Sequence, residues 1–593
     1  MVATNEDRRK AGSKKRKREQ PATSDGAAAP PANNAAPNAG PSLGPRPPAA
    51  EPLPVSAAKA ARWIRRAADV GDTLEGRNRL RKLSAQVRKG GGDAQRMAFV
   101  EVAIGECLDE ATRAASPLDR WLSCEAATWA LAWMARTKRA GGSAGRLLER
   151  LVGQARAAQA LLASGDTLPA RFVLCLSRLF RDIEACRCLE EGASATLAAE
   201  IDRLVSARGV VNVTGSAAMI ERVVRWTAAR DVLHATGGGD WGEATERRWK
   251  AAVTTAVRLL GGRGRLVAGA GQMPDCFTAP LFDAVAAMGG RRGRTIGELR
   301  RGRAAAGRRN VLSRDLHDAA AAVAIIRTGW DRKSIRVMLD YRHAVPRLEI
   351  AVADRLLVEG PWQWEAWAGG RALEAEGPWT VSCWESDRKA TFLEISAPLS
   401  GGRQFERQVV VLPRDRIVVL ADAVTTPAGV AAPADLRYRG LVPLAGSLEG
   451  DAAADTREIV VFDTATRFMA LPLALPEWRA AGRGGLESSE AGLMLSQEGM
   501  GGRLYAPLWL DCDASRVGRP LTWRQLTVAD TRINLPPHQA TGYRVQSGDE
   551  QWLLYRSLDA PRNRTLLGCN VSCEFLLGRI KKSGEVARTL EIQ

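Results

Sequence analysis

Residues 405–424 read FERQVVVLPRDRIVVLADAV. Two β-branched runs, 409–412 and 417–420, flank the polar tetrad Pro413, Arg414, Asp415 and Arg416. That pattern predicts an antiparallel hairpin with both faces buried, because neither run alternates with polar residues. Working outward, residues from about 315 to the end repeat the signal. Alternation is clear at Ile335, Val337, Leu339 and Tyr341 and again at Leu348, Ile350 and Val352, with further runs at 356–358, 391–395, 458–462, 521–528 and 551–558. No helical segment intervenes, so the strands are expected to pair antiparallel in a large β-sandwich.

Upstream the period changes to three and four. Trp121, Leu122, Ala126, Trp129 and Trp133 mark one Ala-rich helix opened by Pro117, and Leu147, Leu151, Ala155 and Ala158 mark the next. Further helices are read at 171–186, 194–207, 217–234, 244–260 and 277–288. Short glycine-containing turns join them, which describes helical hairpins set side by side. The expected architecture is an N-terminal α/α helical-hairpin domain, an incomplete toroid over residues 54–290, followed by a large antiparallel β-sandwich over 315–593.

Two other segments hold much of the formal net charge of +19. Residues 1–53 combine KKRKR at 14–18 with Pro, Ala, Gly and Asn, a composition that cannot bury enough apolar surface to offset its ordering entropy. A disordered tail is expected, its charge serving either solubility or a tether to nucleic acid or an anionic surface. Residues 291–314 form an Arg- and Gly-rich connector whose guanidinium groups suit carboxylate, sulfate or phosphate, or simply water. The N-terminus has no apolar secretory core and no apolar run is long enough to span a bilayer, so a cytoplasmic protein without a membrane span is expected.

The ten cysteines show no paired metal-ligand spacing, and no Gly-rich phosphate loop, GxSxG or HExxH occurs. No metal and no cofactor are expected. The remaining chemistry gathers in small groups. The run LDYRHAVPRLE brings Tyr341, Arg342 and His343 together, and alternation along a strand puts Tyr341 and His343 on one face as donor and acceptor. The bland alternative is a strand-end tyrosine and a surface histidine. His234 precedes Ala235, Thr236 and three glycines, as a helix-capping histidine or a catalytic one. Arg222 and Arg225 flank a helical face beside Trp226, and with Trp241 they make an expected cationic, aromatic cleft.

Two stretches carry a family resemblance. RLEIAVADRLLVEGPW, ending its second strand in Glu359 and Gly360, and RQVVVLPRDRIVVLADAV, an Arg-led hairpin ending in Asp422, resemble the sheet scaffold of the heparinase II/III-like polysaccharide lyases. The resemblance runs from about residue 55 to the end and implies a helical toroid plus β-sandwich, with an acidic polysaccharide as partner. It also implies β-elimination: a cation or Asn neutralises the uronate carboxylate, while Tyr and His move protons. In that reading Tyr341, His343 and His234 are the catalytic candidates, and Arg222, Arg225, Trp226, Trp241 and Arg342 bind substrate. The pattern departs from the family in its helical part, which has no tyrosine, and in LDYRHAVPRLE, which lacks the usual His, Gly and Asp spacing. Two other functions stay open: a non-catalytic glycan-binding or structural protein on the same scaffold, and a basic nucleic-acid-associated protein.

Overall fold

The central hairpin forms because its β-branched side chains are buried on both faces. Strands Arg403–Leu412 and Ile417–Thr425 pair antiparallel with Leu412 opposite Ile417, and Arg416 takes a positive φ of 57° to turn the chain. They lie in the middle of an eight-stranded sheet. Val409, Val411, Val418 and Leu420 face a core shared with the five-stranded meander that runs from Leu316–Asp318 to Arg355–Pro361. Val410, Leu412, Ile417 and Val419 face the opposite core, against Trp523, Tyr543, Trp552 and Phe575 of the C-terminal sheet. The central sheet is thus covered on both sides, which is why its sequence shows continuous apolar runs rather than alternation.

The structure is a computed structural model that describes residues 53–90, 94–114, 116–136, 143–261, 277–288, 315–331, 333–427, 435–446, 448–479 and 484–593. The tail up to residue 52, and the Arg-rich connector read at 291–314, lie outside the described residues. The described residues all fall in one compact unit. Among them no helix is long and apolar enough to cross a membrane.

Helices fill the first part. Ala57–Asp69, Pro117–Met134, Ala170–Leu179 and Ser216–Ala235 form an inner layer, each packed on the next, with Pro117–Met134 buried on almost every side. Ser143–Ala163, Glu190–Leu204 and Glu243–Leu259 lie outside them with one polar face in solvent. The first inner helix also reaches the later ones: Lys59 donates to the Ala235 carbonyl at 2.9 Å, and Arg66 lies 3.6 Å from Asp231 and 3.7 Å from Asp283. One expected helix, 171–186, is instead two. Ala170–Leu179 stops where Phe180 leaves helical angles (φ −118°, ψ 39°), and the single turn Glu184–Arg187 follows.

The helices and the first meander share one core, because Val323, Ile325 and Met338 pack into the helical cluster. Strands Val323–Arg327 and Ile335–Asp340 are therefore buried throughout, with helices on one face and the sandwich on the other.

A candidate active site where helices meet sheets

Polar contacts fix the junction. Buried Arg327 donates Nη1 to the carbonyls of Arg258 and Leu260, at 2.7 and 2.6 Å, while its guanidinium stacks 3.5 Å above Trp330. The Ser216 amide, at the N-terminus of Ser216–Ala235, donates to Glu349 Oε1 at 2.8 Å, so a carboxylate from the sheet meets the positive end of a helix dipole. Arg342 binds Asp340 through Nε and Nη2 and bridges to Asn212 Oδ1 and the Val213 carbonyl. Finally, exposed Arg208 donates to the His317 carbonyl at 2.6 Å.

That last contact borders a groove of about 440 Å³ lined by Arg208, Ala251, Thr254, Arg258, Asp315, His317 and Trp384. His317 sits on the edge strand Leu316–Asp318, opposite Ala324, and Tyr341 follows the end of Ile335–Asp340 one strand further in. The pleat turns both side chains toward the sandwich, where His317 Nε2 and the Tyr341 hydroxyl are 2.8 Å apart. Trp384 stacks on the imidazole at 5.0 Å between ring centres. Burial and the Arg208 charge lower the His317 pKa below its ordinary value, so the ring is neutral at neutral pH. Burial, helped by Asp318, pushes the Tyr341 phenol up to about 12 and keeps it protonated. A neutral histidine backed by a protonated tyrosine can take and return a proton.

Tyr341 thus finds a histidine partner, but not the one expected. The strand ends at Asp340, so the two-residue alternation does not extend to His343, which is exposed in the turn while Tyr341 is buried. Arg342 is held in the bridge from sheet to helices, bound to Asp340 and Asn212, rather than in a substrate pocket.

Solved structures identify the scaffold. The heparan sulfate lyase HepC from Pedobacter heparinus aligns with a TM-score of 0.52 and 11% identity, over 83% of this chain and 84% of that one. The heparinase III BT4657 gene product gives 0.54 and 9%, over 84% and 90%, and a further heparinase III gives 0.51 and 10%, over 82% of each. The chain has the heparinase III fold. No protein-family model matches it, and no curated protein does.

Within this heparinase III fold the mouth of the inner helical layer holds a second, tighter cleft of about 50 Å³, bordered by Trp121, Glu125, Arg171, Arg225 and Trp226. Here the expected cationic, aromatic face is largely neutralised. Trp226 is fully buried and donates Nε1 to Glu200 Oε2 at 2.6 Å, and Arg222 pairs with the other oxygen of the same carboxylate. Arg171 is bound to buried Glu125 at 2.8 Å. Of the expected pair only Arg225 borders the cleft, with Glu221 3.8 Å away. Arg222→Ala is therefore expected to lower stability by about 1–3 kcal/mol, because buried Glu200 loses its charged partner. Urea unfolding measures this, and an unchanged midpoint would mean that Arg222 is free for ligand.

His234 and Trp241 lie beside the helix end. His234 Nε2 is 3.0 Å from Asp240 Oδ1, and with Glu246 the two offer ligand atoms within 4.8 Å of one another. The cation there is already Arg230, whose Nε binds Glu246 at 2.8 Å and whose guanidinium lies 4.1 Å over Trp249. Trp241 packs partly buried against the helical core.

Proposed function

We propose that the protein binds an acidic polysaccharide in the groove between Arg208 and Trp384 and cleaves it by β-elimination at His317. The observation that carries this reading is the 2.8 Å contact between His317 and Tyr341 at a groove with a cation on one side and an aromatic ring on the other. Heparan sulfate lyase is what the matched HepC structure is named, and the net charge of +19 suits an anionic partner.

The chemistry follows from the residues. Arg208 pairs with the uronate carboxylate and stabilises the negative charge that grows there as the adjacent C–H bond breaks. Trp384 supplies a flat apolar face for a sugar ring. With Nε2 protonated and donating to the Tyr341 oxygen, His317 Nδ1 takes the ring proton. The electron pair forms the carbon–carbon double bond, the glycosidic C–O bond breaks, and the imidazolium returns the proton to the leaving oxygen. Incubation with a panel of uronate polysaccharides should give rising ultraviolet absorbance from the new double bond, and a flat trace across the panel removes the lyase reading.

A second reading, glycan binding without cleavage, is favoured by the paired arginines of the inner cleft and by the near-complete burial of Tyr341. Binding with no absorbance change would support it.

The lowered His317 pKa fixes a pH dependence. A base must be unprotonated, so kcat/KM should rise with pH and reach half its maximum below pH 6.5, the ordinary histidine value. A midpoint above 6.5 assigns the base elsewhere.

A further inference from the structure

Arg556, on strand Glu550–Ser557 of the C-terminal sheet, is buried and turns toward the central sheet. Its Nη2 meets three carboxylates. Glu406 Oε2 at 2.6 Å and Glu394 Oε2 at 3.2 Å come from the central sheet, and Glu574 Oε1 at 2.8 Å comes from the residue before strand Phe575–Ile580. No second cation among the described residues pairs with any of the three. If all of them ionise, three carboxylates against one guanidinium leave two uncompensated negative charges in the layer between the sheets. Crowded like charges removed from water disfavour that state.

The hydrogens point the same way. Nη2 carries two N–H bonds and so serves two of the three oxygens, while Nε is buried without an acceptor among the described residues. Glu394 has another donor: Gln408 Nε2 reaches its Oε2 at 2.6 Å, and the Tyr505 hydroxyl fixes that amide by donating to Gln408 Oε1 at 2.9 Å. Glu394 is thus satisfied as an anion. The other oxygen of Glu406 takes the Thr425 hydroxyl at 3.3 Å. Glu406 and Glu574, crowded on one nitrogen from opposite sheets, are left to share a proton. We propose that this cluster is a proton-operated clasp: one shared proton holds the C-terminal sheet against the central sheet, and its loss as the pH rises loosens that contact.

The sign follows from the surroundings. Burial raises the Glu406 pKa above its ordinary 4.5, against the pull of Arg556 and with help from Glu394 and Glu574, and burial raises Glu574 likewise. A raised carboxyl contributes stability that is present below its ordinary value and lost as pH climbs through the raised one. The other titratable groups at the cluster do not reverse this. Burial pushes the Cys383 thiol up to about 11 and holds the Tyr505 and Tyr543 phenols well above neutrality, so all three stay neutral, and exposed Glu385 adds only negative charge. His538, elsewhere in the sandwich, has the opposite sign: burial and Arg503 lower its pKa, so its protonation costs stability as pH falls.

Hydrogen–deuterium exchange on the full chain, read by mass spectrometry and corrected for the intrinsic pH dependence of exchange, tests the clasp. From the ordinary carboxyl value of 4.5 to about pH 8, protection of strands Glu550–Ser557 and Phe575–Ile580 should fall about tenfold or more in wild type. Helix Ser216–Ala235 should not follow. In Glu406→Gln, where a neutral amide replaces the protonated acid, the protection should stay level and exceed that of wild type at the upper pH. If Glu406→Gln melts early, Glu574→Gln at the half-buried position takes its place, with the same expected profile. Three results would overturn the proposal: level protection of the two strands in wild type, a fall of equal size in the helix, or a wild-type fall that persists in both variants. None of them bears on cleavage at His317, which the absorbance assay decides.

Discussion

Asp422→Ala should cost the folded state about 3–5 kcal/mol, or leave the protein insoluble, because it strands a buried guanidinium. Arg407 and Asp422 face each other across the central hairpin, and both side chains are at 0% exposure. Their contact is two-pronged: Arg407 Nε to Asp422 Oδ1 at 2.8 Å and Nη2 to Oδ2 at 2.7 Å. The rest of the site is also satisfied. Arg407 Nη1 donates to the Trp362 carbonyl at 2.6 Å with its guanidinium 3.8 Å over the Trp362 ring, and the Tyr438 hydroxyl donates to Asp422. Removing the carboxylate leaves a full charge in an apolar layer and takes the acceptor from Tyr438. Asp422→Asn, which keeps an acceptor for Tyr438 but not the charge, should fall between wild type and Asp422→Ala. Chemical unfolding followed by tryptophan fluorescence measures the series. Equal midpoints for all three proteins would show that water reaches the pair and that its burial is not what matters.

The same pair shows how much was legible in the sequence. The β-branched runs around Pro413 and Arg414 set the hairpin, and an antiparallel register then brings the Arg that opens it to the Asp that closes it. Local spacing suffices for that step. It fails at His317, because that residue reaches Tyr341 across a three-stranded pairing, and no spacing along the chain encodes which strand edge lies beside which. Tyr341 itself was readable as a candidate, but its pairing with His343 assumed that alternation continues past Asp340, where the strand ends. Trp226 misled for a related reason. An aromatic between arginines reads as a cleft wall, yet Glu200, from another helix, draws both Trp226 and Arg222 to itself.

His317→Ala should remove elimination, by roughly 10²–10⁴-fold in kcat if His317 is the base, with little change in glycan affinity. The imidazole is the histidine that lines the groove, and its lowered pKa leaves it an unprotonated nitrogen base at neutral pH. In the proposed reaction Tyr341 acts through His317, as a positioning residue. In Tyr341→Phe the Nε2–H loses the oxygen that it donates to, and that hydrogen bond favours the protonated ring more than the neutral one. Its loss should therefore shift the acid limb of kcat/KM to still lower pH while kcat falls by a smaller factor than in His317→Ala. A merely structural tyrosine would lower stability and leave the pH midpoint in place. The two variants thus separate the roles: loss of rate with His317, a moved midpoint with Tyr341. Full absorbance-detected activity in His317→Ala would place the reaction outside this groove, whereas a midpoint that rises in Tyr341→Phe would mean that the phenol donates to Nε2 and that the proton-accepting nitrogen is assigned the wrong way round.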